Sequence, residues 1–239
     1  MKVKLVQHSE LSHAVRAIRT CTGNRDRETT PESDARLIEQ CLINGHHSVF
    51  EHVNYTFEIT GVSRALLQEL ARHRHCSLSV KSTRFALGKM SDDDIGYIEN
   101  FLNEQALRTA GDGRGEKYQA LNELNGMVVS LFRKIQSVKR EYPDVPNDIL
   151  KYALPECMPT ELTLSANARQ MALIFSLRAA KRALMEFRRL VSMMHDEIHA
   201  ATNGVHDLLF DHCGVDWAAL REELNLTVLT MKRDGGFDG

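Results

Sequence analysis

The segment from Arg72 to Arg84 has the residue types that could bind and activate an anionic ligand. It reads Arg-His-Arg-His-Cys-Ser-Leu-Ser-Val-Lys-Ser-Thr-Arg, and no carboxylate occurs from Arg72 through Met90. The planar guanidinium group matches the geometry of phosphates and carboxylates, and serine hydroxyls can complete the hydrogen-bond shell of an anion. Two arginines alone would fit the C-terminal end of a helix, where the dipole favours cations. Because the cations here continue into a serine-rich stretch, the pattern favours anion binding.

Composition favours a small ligand over a nucleic acid. The chain of 239 residues has 43% hydrophobic residues, 26% charged residues and a formal net charge of -2, as is typical of a globular protein. The positive charge is therefore local, and no aromatic residue lies within 72–84 to stack on the bases of an RNA. There is neither the apolar run of a signal peptide nor the ~20 apolar residues of a membrane span, and the five cysteines form no Cys-x-x-Cys pair. We expect a cytoplasmic protein that binds neither nucleic acid nor a membrane.

Hydrophobic periodicity predicts the elements that would position the basic segment. Apolar residues alternate over 49–59 and predict a half-buried strand that ends at Gly61. Ser63 can cap the next helix, whose C-terminal end would deliver 72–84 as a loop, and residues 85–87 can form a strand again. The other predicted elements are a strand over 2–7 and helices over 9–20, between Pro31 and Gly45, over 116–142 and over 167–198. Residues 149–155 predict a short helical or turn segment, and a loop and a last helix follow from 204. Residues 91–114 predict a variable surface excursion, and 230–239 predict a frayed tail.

Arg178 is a second candidate site residue. It lies near the apolar face of the predicted helix 167–198, and an arginine buried in a cleft needs an anion. The alternative is that its side chain reaches past the apolar stripe into solvent.

Three ordered blocks resemble the signature of the flavin-dependent thymidylate synthases. The first is Arg-His-Arg at 72–74, followed by seven residues and Ser82, with Arg84 two places further on as the fuller pattern requires. The other blocks are Asn-Ala-Arg at 167–169 with Leu-Arg at 177–178, and Gly-His-His-Ser at 45–48 with Glu-His at 51–52. Together they cover the chain from about residue 15 to about residue 200.

This resemblance implies a fold and an activity. The fold would be α/β (α+β), a helix-flanked and mostly antiparallel sheet with long C-terminal helices, the fold of the thymidylate synthase complementing protein, in a single domain over 1–239. The enzyme would be a methyltransferase of nucleotide biosynthesis that converts deoxyuridine monophosphate (dUMP) to dTMP. Its carbon donor would be 5,10-methylenetetrahydrofolate, its redox cofactor FAD and its reductant NADPH. The family is typically a homotetramer whose active sites gather residues from several subunits.

The resemblance also implies roles for individual residues. FAD would be bound by Ser48, Arg72, His73, Arg74, Val80, Asn167, Ala168, Arg169 and Leu173. The nucleotide dUMP would be bound by Glu69, Arg72, Lys81, Ser82, Thr83, Arg84, Lys151 and Arg178. Arg178 and Ser82 would be the catalytic residues: Arg178 would lie against the uracil ring and favour its ionised form, and Ser82 would bind and polarise the nucleotide. No metal is implied.

The chain departs from the family pattern at several positions. Ser79, Val80 and Lys81 stand where many members have asparagine and acidic residues. Lys151 stands where the family has an arginine, which keeps the charge but loses the bidentate fork. Leu173 occupies a position that is often asparagine.

A metal-dependent phosphohydrolase is the main alternative. His195 and His199 are four residues apart on a predicted helix, and His195-Asp196 and His206-Asp207 are His-Asp pairs. This geometry can bind zinc. However, Asp196 replaces the glutamate of a His-Glu-x-x-His site, and the helix already has a core face and a solvated face.

Cys76 is a possible nucleophile. A thiol among Arg72, Arg74 and Lys81 would have a lowered pKa, and an unrelated class of thymidylate synthase uses a cysteine nucleophile. The matched motif does not require cysteine here, so we interpret Cys76 as a packing residue.

Overall fold

The computed structural model of the chain describes residues 1–27, 30–111 and 113–233. The strands are β1 (Lys2–His8), β2 (Asn54–Ser63), β3 (Cys76–Val80) and β4 (Pro159–Asn167). The α-helices are α1 (Ser12–Thr22), α2 (Pro31–Ile43), α3 (Arg64–Leu70), α4 (Thr83–Gly88), α5 (Asp92–Ala110), α6 (Glu116–Glu141), α7 (Asn147–Leu150), α8 (Ala168–Arg178), α9 (Met185–Thr202) and α10 (Trp217–Arg233). Short 3-10 helices form at His47–His52, Lys151–Ala153, Asp207–Leu209 and Asp211–Cys213.

The four strands form one sheet in the order β1-β2-β4-β3. The pairs β1–β2 and β3–β4 are antiparallel, and Cys76 pairs with Ala166 and Val80 with Leu162 across the second pair. Alternate side chains of β2, including Tyr55, Phe57 and Ile59, are buried because successive residues of a strand face opposite sides of the sheet. The prediction of a helix-flanked, mostly antiparallel sheet in an α+β fold is confirmed.

The chain folds into two compact units. The first comprises Met1–Val62, Leu66–Val80 and Glu161–Leu220, and contains the sheet strands almost completely. Its core includes the fully buried rings of Phe57, Phe175 and Phe187. The second comprises Ser63–Ala65, Lys81–Thr160 and the described residues after Leu220, and its core joins α5 to α6 through residues such as Ile98 and Phe132. The single-domain organisation stays a prediction.

Several predicted elements are confirmed. Thr30 caps α2: its hydroxyl accepts a hydrogen bond from the Ser33 amide at 3.2 Å, and Pro31 follows at the first helical position. β1, α1, α6, the short helical segment after Asn147 and the last helix lie where periodicity places them, within a few residues. The predicted frayed tail, 230–239, begins inside α10, and 234–239 lie outside the described residues.

The predicted surface excursion over 91–114 contains a helix. Residues Asp92–Ala110 form α5, which starts at a capping box in which Ser91 and Asp94 exchange hydrogen bonds of 2.8 and 3.2 Å. The three aspartates that resemble a solvated loop occupy the first turn of this helix, where the helix dipole favours negative charge. Ile95 and Ile98 are buried in the core of the second unit.

The elements around the basic segment also differ from the prediction. β2 starts at Asn54, after a 3-10 helix, and continues past Gly61 to Ser63. The segment 72–84 is not one loop, because β3 forms within it, and residues 85–87 belong to α4 rather than to a strand.

The predicted helix 167–198 is two helices, α8 and α9. The apolar stripe crosses the break because both helices bury residues such as Ile174 and Leu190 in the same core. At the break, the carbonyl of Ala179 accepts a hydrogen bond from Arg188 Nε at 3.2 Å instead of continuing the helix. The sequence patterns do not indicate strand β4, which precedes α8.

No helix in the described ranges is long and apolar enough to cross a membrane.

A buried histidine links the sheet to the turn after α9. The Tyr55 hydroxyl lies 2.8 Å from His206 Nδ1, and both side chains are buried. Burial, with the charge of His8 adding to it, lowers the pKa of His206 to about 4, although Glu10 and Asp207 act in the opposite direction.

We expect His206 to make the fold acid-sensitive. In the unfolded chain a histidine binds a proton near pH ~6.5, so the stability from neutral His206 is present above that pH and is lost as the pH falls toward its folded pKa of about 4. Between these values the free energy of unfolding of the wild type should fall by on the order of 3 kcal/mol more than that of His206→Asn. Denaturant titrations across the window measure the difference, and parallel curves for the two proteins would contradict the expectation.

Candidate active site

Arg178, the last residue of α8, is held by groups from α3 and from the turn that follows it. Its Nη1 donates to Glu69 Oε2 at 2.7 Å, its Nη2 to the Glu69 carbonyl at 3.4 Å, and its Nε to His73 Nε2 at 2.9 Å. The guanidinium carbon lies 4.9 Å from the centre of the Phe187 ring, a cation–π distance. With 20% of its side chain exposed, Arg178 is mostly withdrawn from solvent. Its anion within the chain is Glu69.

His73 points inward between two outward-facing arginines. Its relative exposure is 7%, whereas Arg72 and Arg74 are exposed. Burial lowers the pKa of His73, and the positive charge of Arg178 lowers it further. The ring is therefore neutral near pH 7.

Cys76 does not have the lowered pKa that its cationic neighbours suggest. Burial raises the pKa of this thiol. Its Sγ donates a hydrogen bond to the His73 carbonyl at 2.6 Å, which stabilises the turn before β3. A protonated, partly buried thiol is a poor nucleophile, so both observations agree with a packing role.

A cavity of about 660 Å³ opens beside the start of α8. Its polar lining residues are His47, Glu51, His75, Asn167, Arg169, Gln170, Ser176 and His212, and its apolar lining residues include Leu42, Phe50, Ala172, Leu173 and Leu209. This volume lies within the ~300–1,000 Å³ typical of small-molecule sites. Polar groups of several kinds and an apolar wall suit a ligand that has both a ring system and charged groups.

Two interactions occur at the N-terminus of α8, at the edge of this cavity. Asn167 Oδ1 accepts a hydrogen bond from the Gln170 amide at 2.9 Å, which confirms Asn167 as the capping residue. Arg169 Nη1 lies 2.6 Å from Glu51 Oε1, and both side chains are about half exposed. The side-chain oxygen of Asn167 caps α8, whereas its amide NH2 takes no part in this hydrogen bond.

A second cationic cluster lies in the second unit. Arg84 Nε lies 3.3 Å from Asp148 Oδ1, and Lys151 Nζ lies 4.0 Å from the same oxygen. Asn147 Nδ2 donates to the Arg84 carbonyl at 2.7 Å, and Arg64 Nη1 donates to the Thr83 hydroxyl at 2.7 Å. Two cations thus share one carboxylate on an exposed surface.

The structure groups the predicted site residues into three sets. The sets are Glu69, His73 and Arg178; Asn167, Ala168, Arg169 and Leu173 at the cavity; and Arg84 and Lys151 at Asp148, with Thr83 adjacent to Arg84 in the chain and bonded to Arg64. The other predicted residues, Ser48, Arg72, Arg74, Val80, Lys81 and Ser82, are exposed and do not line the cavity.

Sequence reasoning missed some lining residues. Ser176 lies seven residues after Arg169 on α8, so the helical period could have indicated it. His75 is adjacent to the recognised motif. His212 reaches the cavity from a 3-10 helix, and Asp148 from α7 reaches Arg84, by chain folding that no local pattern signals.

His195 and His199, the candidate ligands of the metal-dependent alternative, contact different neighbours. His195 stacks on Trp217 with ring centroids 3.9 Å apart, and His199 Nδ1 bonds Asp207 Oδ2 at 2.6 Å. Within the described part of the chain, no three His, Cys, Asp or Glu side chains come together as metal ligands would.

The antiparallel sheet, the contacts of Arg178 and the polar cavity are those of an α+β protein with a small-molecule site. The family model described as "Thymidylate synthase complementing protein" matches residues 4–202. The chain therefore belongs to the flavin-dependent thymidylate synthase family, as the three motif blocks predict.

Individual relatives agree. The chain is 35% identical over 216 residues to the flavin-dependent thymidylate synthase of Campylobacter jejuni (strain RM1221). The alignment covers 89% of this chain and 97% of the relative. It is 35% identical over 217 residues to the flavin-dependent thymidylate synthase of Helicobacter pylori (strain ATCC 700392 / 26695), and the alignment covers 89% of this chain and 99% of that relative. A crystal structure of thymidylate synthase X from Helicobacter pylori with FAD and dUMP matches with a TM-score of 0.69 and 31% identity, over 89% of this chain and 98% of that chain.

The Asn167 cap can be tested separately from any ligand. Asn167→Ala should lower the free energy of unfolding by about 1 kcal/mol, because the Gln170 amide loses its acceptor. Asn167→Ser, which keeps a capping oxygen, should recover most of that loss. Chemical denaturation of both variants checks this, and equal destabilisation by serine and alanine would show that the cap contributes little.

Proposed function

We propose that this chain catalyses the reductive methylation of dUMP to dTMP, with 5,10-methylenetetrahydrofolate as carbon donor, FAD as redox cofactor and NADPH as reductant. The observation that carries the proposal is the junction at Arg178. Residues of the first motif block and its preceding helix, His73 and Glu69, contact Arg178 of the second block across more than a hundred residues of sequence.

The cavity at α8 fits the chemistry of FAD. Its apolar wall, with Phe50 and Leu173, suits the flavin or adenine ring, and Arg169 with the lining histidines suits the phosphates. Asn167 can donate its amide NH2 while its oxygen caps α8. When bound, FAD supplies the redox chemistry, and the protein supplies orientation and charge.

Arg178 is proposed to act on the uracil ring. A cation beside the ring favours its ionised form, and the effect is large where water is excluded. Glu69 offsets part of this charge but also fixes the guanidinium, which would otherwise sample several rotamers.

The cluster of Arg84 and Lys151 is proposed to bind the dUMP phosphate, with Lys81, Ser82 and Thr83 nearby in the chain. Asp148 accepts a hydrogen bond from Arg84 Nη1 at 3.3 Å and lies 4.0 Å from Lys151 Nζ as an ion pair, so a phosphate must compete with this carboxylate for both cations. The two clusters need not belong to one subunit, because the family's sites gather residues from several subunits.

A homotetramer in the cytoplasm is also part of the proposal. Leu124, Met127 and Leu131 are exposed apolar residues of α6 at helical spacing, and a contiguous exposed apolar face supports association. The five cysteines are all unpaired, which is typical of a reducing compartment.

The proposed function is tested by visible absorption of the purified protein under anaerobic conditions. With FAD bound, the flavin band should bleach on addition of NADPH, and faster when dUMP is present. A protein that neither takes up FAD nor oxidises NADPH would contradict the proposal.

Two variants sharpen this experiment. Arg178→Lys keeps the charge but loses the planar fork, and should lower dTMP formation about 10²-fold or more. The matched Cys76→Ala should retain flavin and turnover, since burial keeps this thiol protonated. Loss of turnover in Cys76→Ala with flavin still bound would favour a cysteine nucleophile instead.

Lys151 offers a test of the phosphate site. Lys151→Arg should tighten dUMP binding by about 1 kcal/mol, because a bidentate fork adds a charge-assisted hydrogen bond. Titration of the holoenzyme with dUMP measures this. Equal affinity in wild type and variant would place the phosphate elsewhere.

A further inference from the structure

We infer that His73 is a positioning residue for Arg178: its neutral ring carries the proton on Nδ1, accepts the Nε–H of Arg178 at Nε2, and so fixes the plane of the guanidinium group. The inference rests on the proposed function, in which Arg178 acts on uracil. It differs from the role implied by the family resemblance, in which His73 contacts FAD.

Hydrogen-bond chemistry determines the tautomer. A guanidinium has donors and no acceptor, so the contact of 2.9 Å between Arg178 Nε and His73 Nε2 requires Nε2 to be unprotonated. A neutral imidazole then has its proton on Nδ1. Protonated His73 would present a second donor to Arg178, and the bond would be lost.

The contacts of Arg178 reach all three of its nitrogens. Nε meets His73, Nη1 and Nη2 meet Glu69, and the face of the group lies over Phe187. A planar group held at three corners and on one face has little freedom to rotate. Of its five N–H groups, these contacts use three, so one N–H on each terminal nitrogen points away from His73 and Glu69.

A neutral acceptor suits this position better than a second carboxylate. Glu69 already offsets much of the charge of Arg178 at 2.7 Å. Another anion at the Nε position would weaken the field that favours ionised uracil. His73 holds the guanidinium without adding negative charge.

The fold fixes His73 independently of Arg178. Its amide donates to the Leu70 carbonyl at 3.0 Å, and its own carbonyl accepts from Cys76 Sγ at 2.6 Å. Its ring lies edge-on to Phe187 with centroids 6.0 Å apart. The central residue of the Arg-His-Arg motif thus faces inward and joins α3, α8 and α9.

This geometry predicts that the activity falls at acidic pH, which gives the pH profile an acid limb. The titratable or charged groups next to His73 are Arg178 from α8, which bonds the ring, Glu69 from α3, which bonds Arg178, and Cys76 from β3, which bonds the His73 carbonyl. Helix α9 contributes the uncharged Phe187. Burial first and Arg178 second lower the pKa of His73 below its ordinary value. Activity that needs neutral His73 is therefore complete at neutral pH and lost as the pH falls through this lowered pKa.

The test compares His73→Gln with His73→Leu in the flavin-loaded enzyme. Glutamine can place its carbonyl oxygen where Nε2 lies, whereas leucine fills similar space without an acceptor. At pH 8, His73→Leu should lower kcat/KM for dUMP about 10- to 100-fold, the usual effect of losing a hydrogen bond to a charged group. His73→Gln should stay within about tenfold of wild type and lack the acid limb.

A second readout does not depend on activity. In ligand-free wild type at pH 8, ¹⁵N NMR of the imidazole should show Nε2 unprotonated and Nδ1 protonated, with the signal assigned by its absence in His73→Gln. If His73→Leu does not fold, this spectrum and the pH profile of His73→Gln still decide the matter.

Three results would overturn the inference. The first is an NMR spectrum in which His73 Nε2 is protonated. The second is a loss of activity at low pH that persists unchanged in His73→Gln. The third is loss of flavin as the main effect of both variants, which would favour the FAD contact that the family resemblance implies. If instead the wild type shows no dUMP-dependent turnover, the proposed function fails, and the NMR result alone reports on the His73–Arg178 bond.

Discussion

A guanidinium that is largely withdrawn from water carries a desolvation cost that only paired and hydrogen-bonded neighbours can offset. Arg178 meets this condition through Glu69 at 2.7 Å and His73 at 2.9 Å. The requirement ties the end of α8 to α3 and to the turn that opens the basic segment. These parts of the chain are more than a hundred residues apart, so their meeting depends on the sheet and helices that carry them.

The sheet provides that support in a simple way. β2 leads into α3, β3 pairs with β4 in antiparallel register, and β4 passes directly into α8 at the Asn167 cap. The two motif blocks therefore leave neighbouring strands. Strand pairing limits their relative movement, which is why a hydrogen bond between His73 and Arg178 can be a defined feature rather than one of several side-chain arrangements.

Charge is distributed differently in the second unit. Arg84 and Lys151 share the carboxylate of Asp148 on an exposed surface, where ion pairs contribute little to stability. Such a pair is easily exchanged for a phosphate. The partly buried Arg178 pair favours fixed geometry, whereas the exposed cluster favours replaceable contacts. These arrangements suit the proposed roles of Arg178 in activation and of Arg84 and Lys151 in phosphate binding.

The sequence by itself determined the family, through the spacing of Arg72-His73-Arg74, Ser82 and Asn167-Ala168-Arg169, and it determined α2 and α6 because caps and apolar periods are local signals. It did not determine β3, β4 or the break between α8 and α9. Strand pairing and the shared core decide these, and both are non-local. The sequence likewise marked His73 and Arg178 as site residues, but the tertiary structure alone decided that they contact each other. The reason is that a hydrogen bond between residues so far apart in sequence depends on the packing of distant elements against each other, and no local residue spacing specifies that packing.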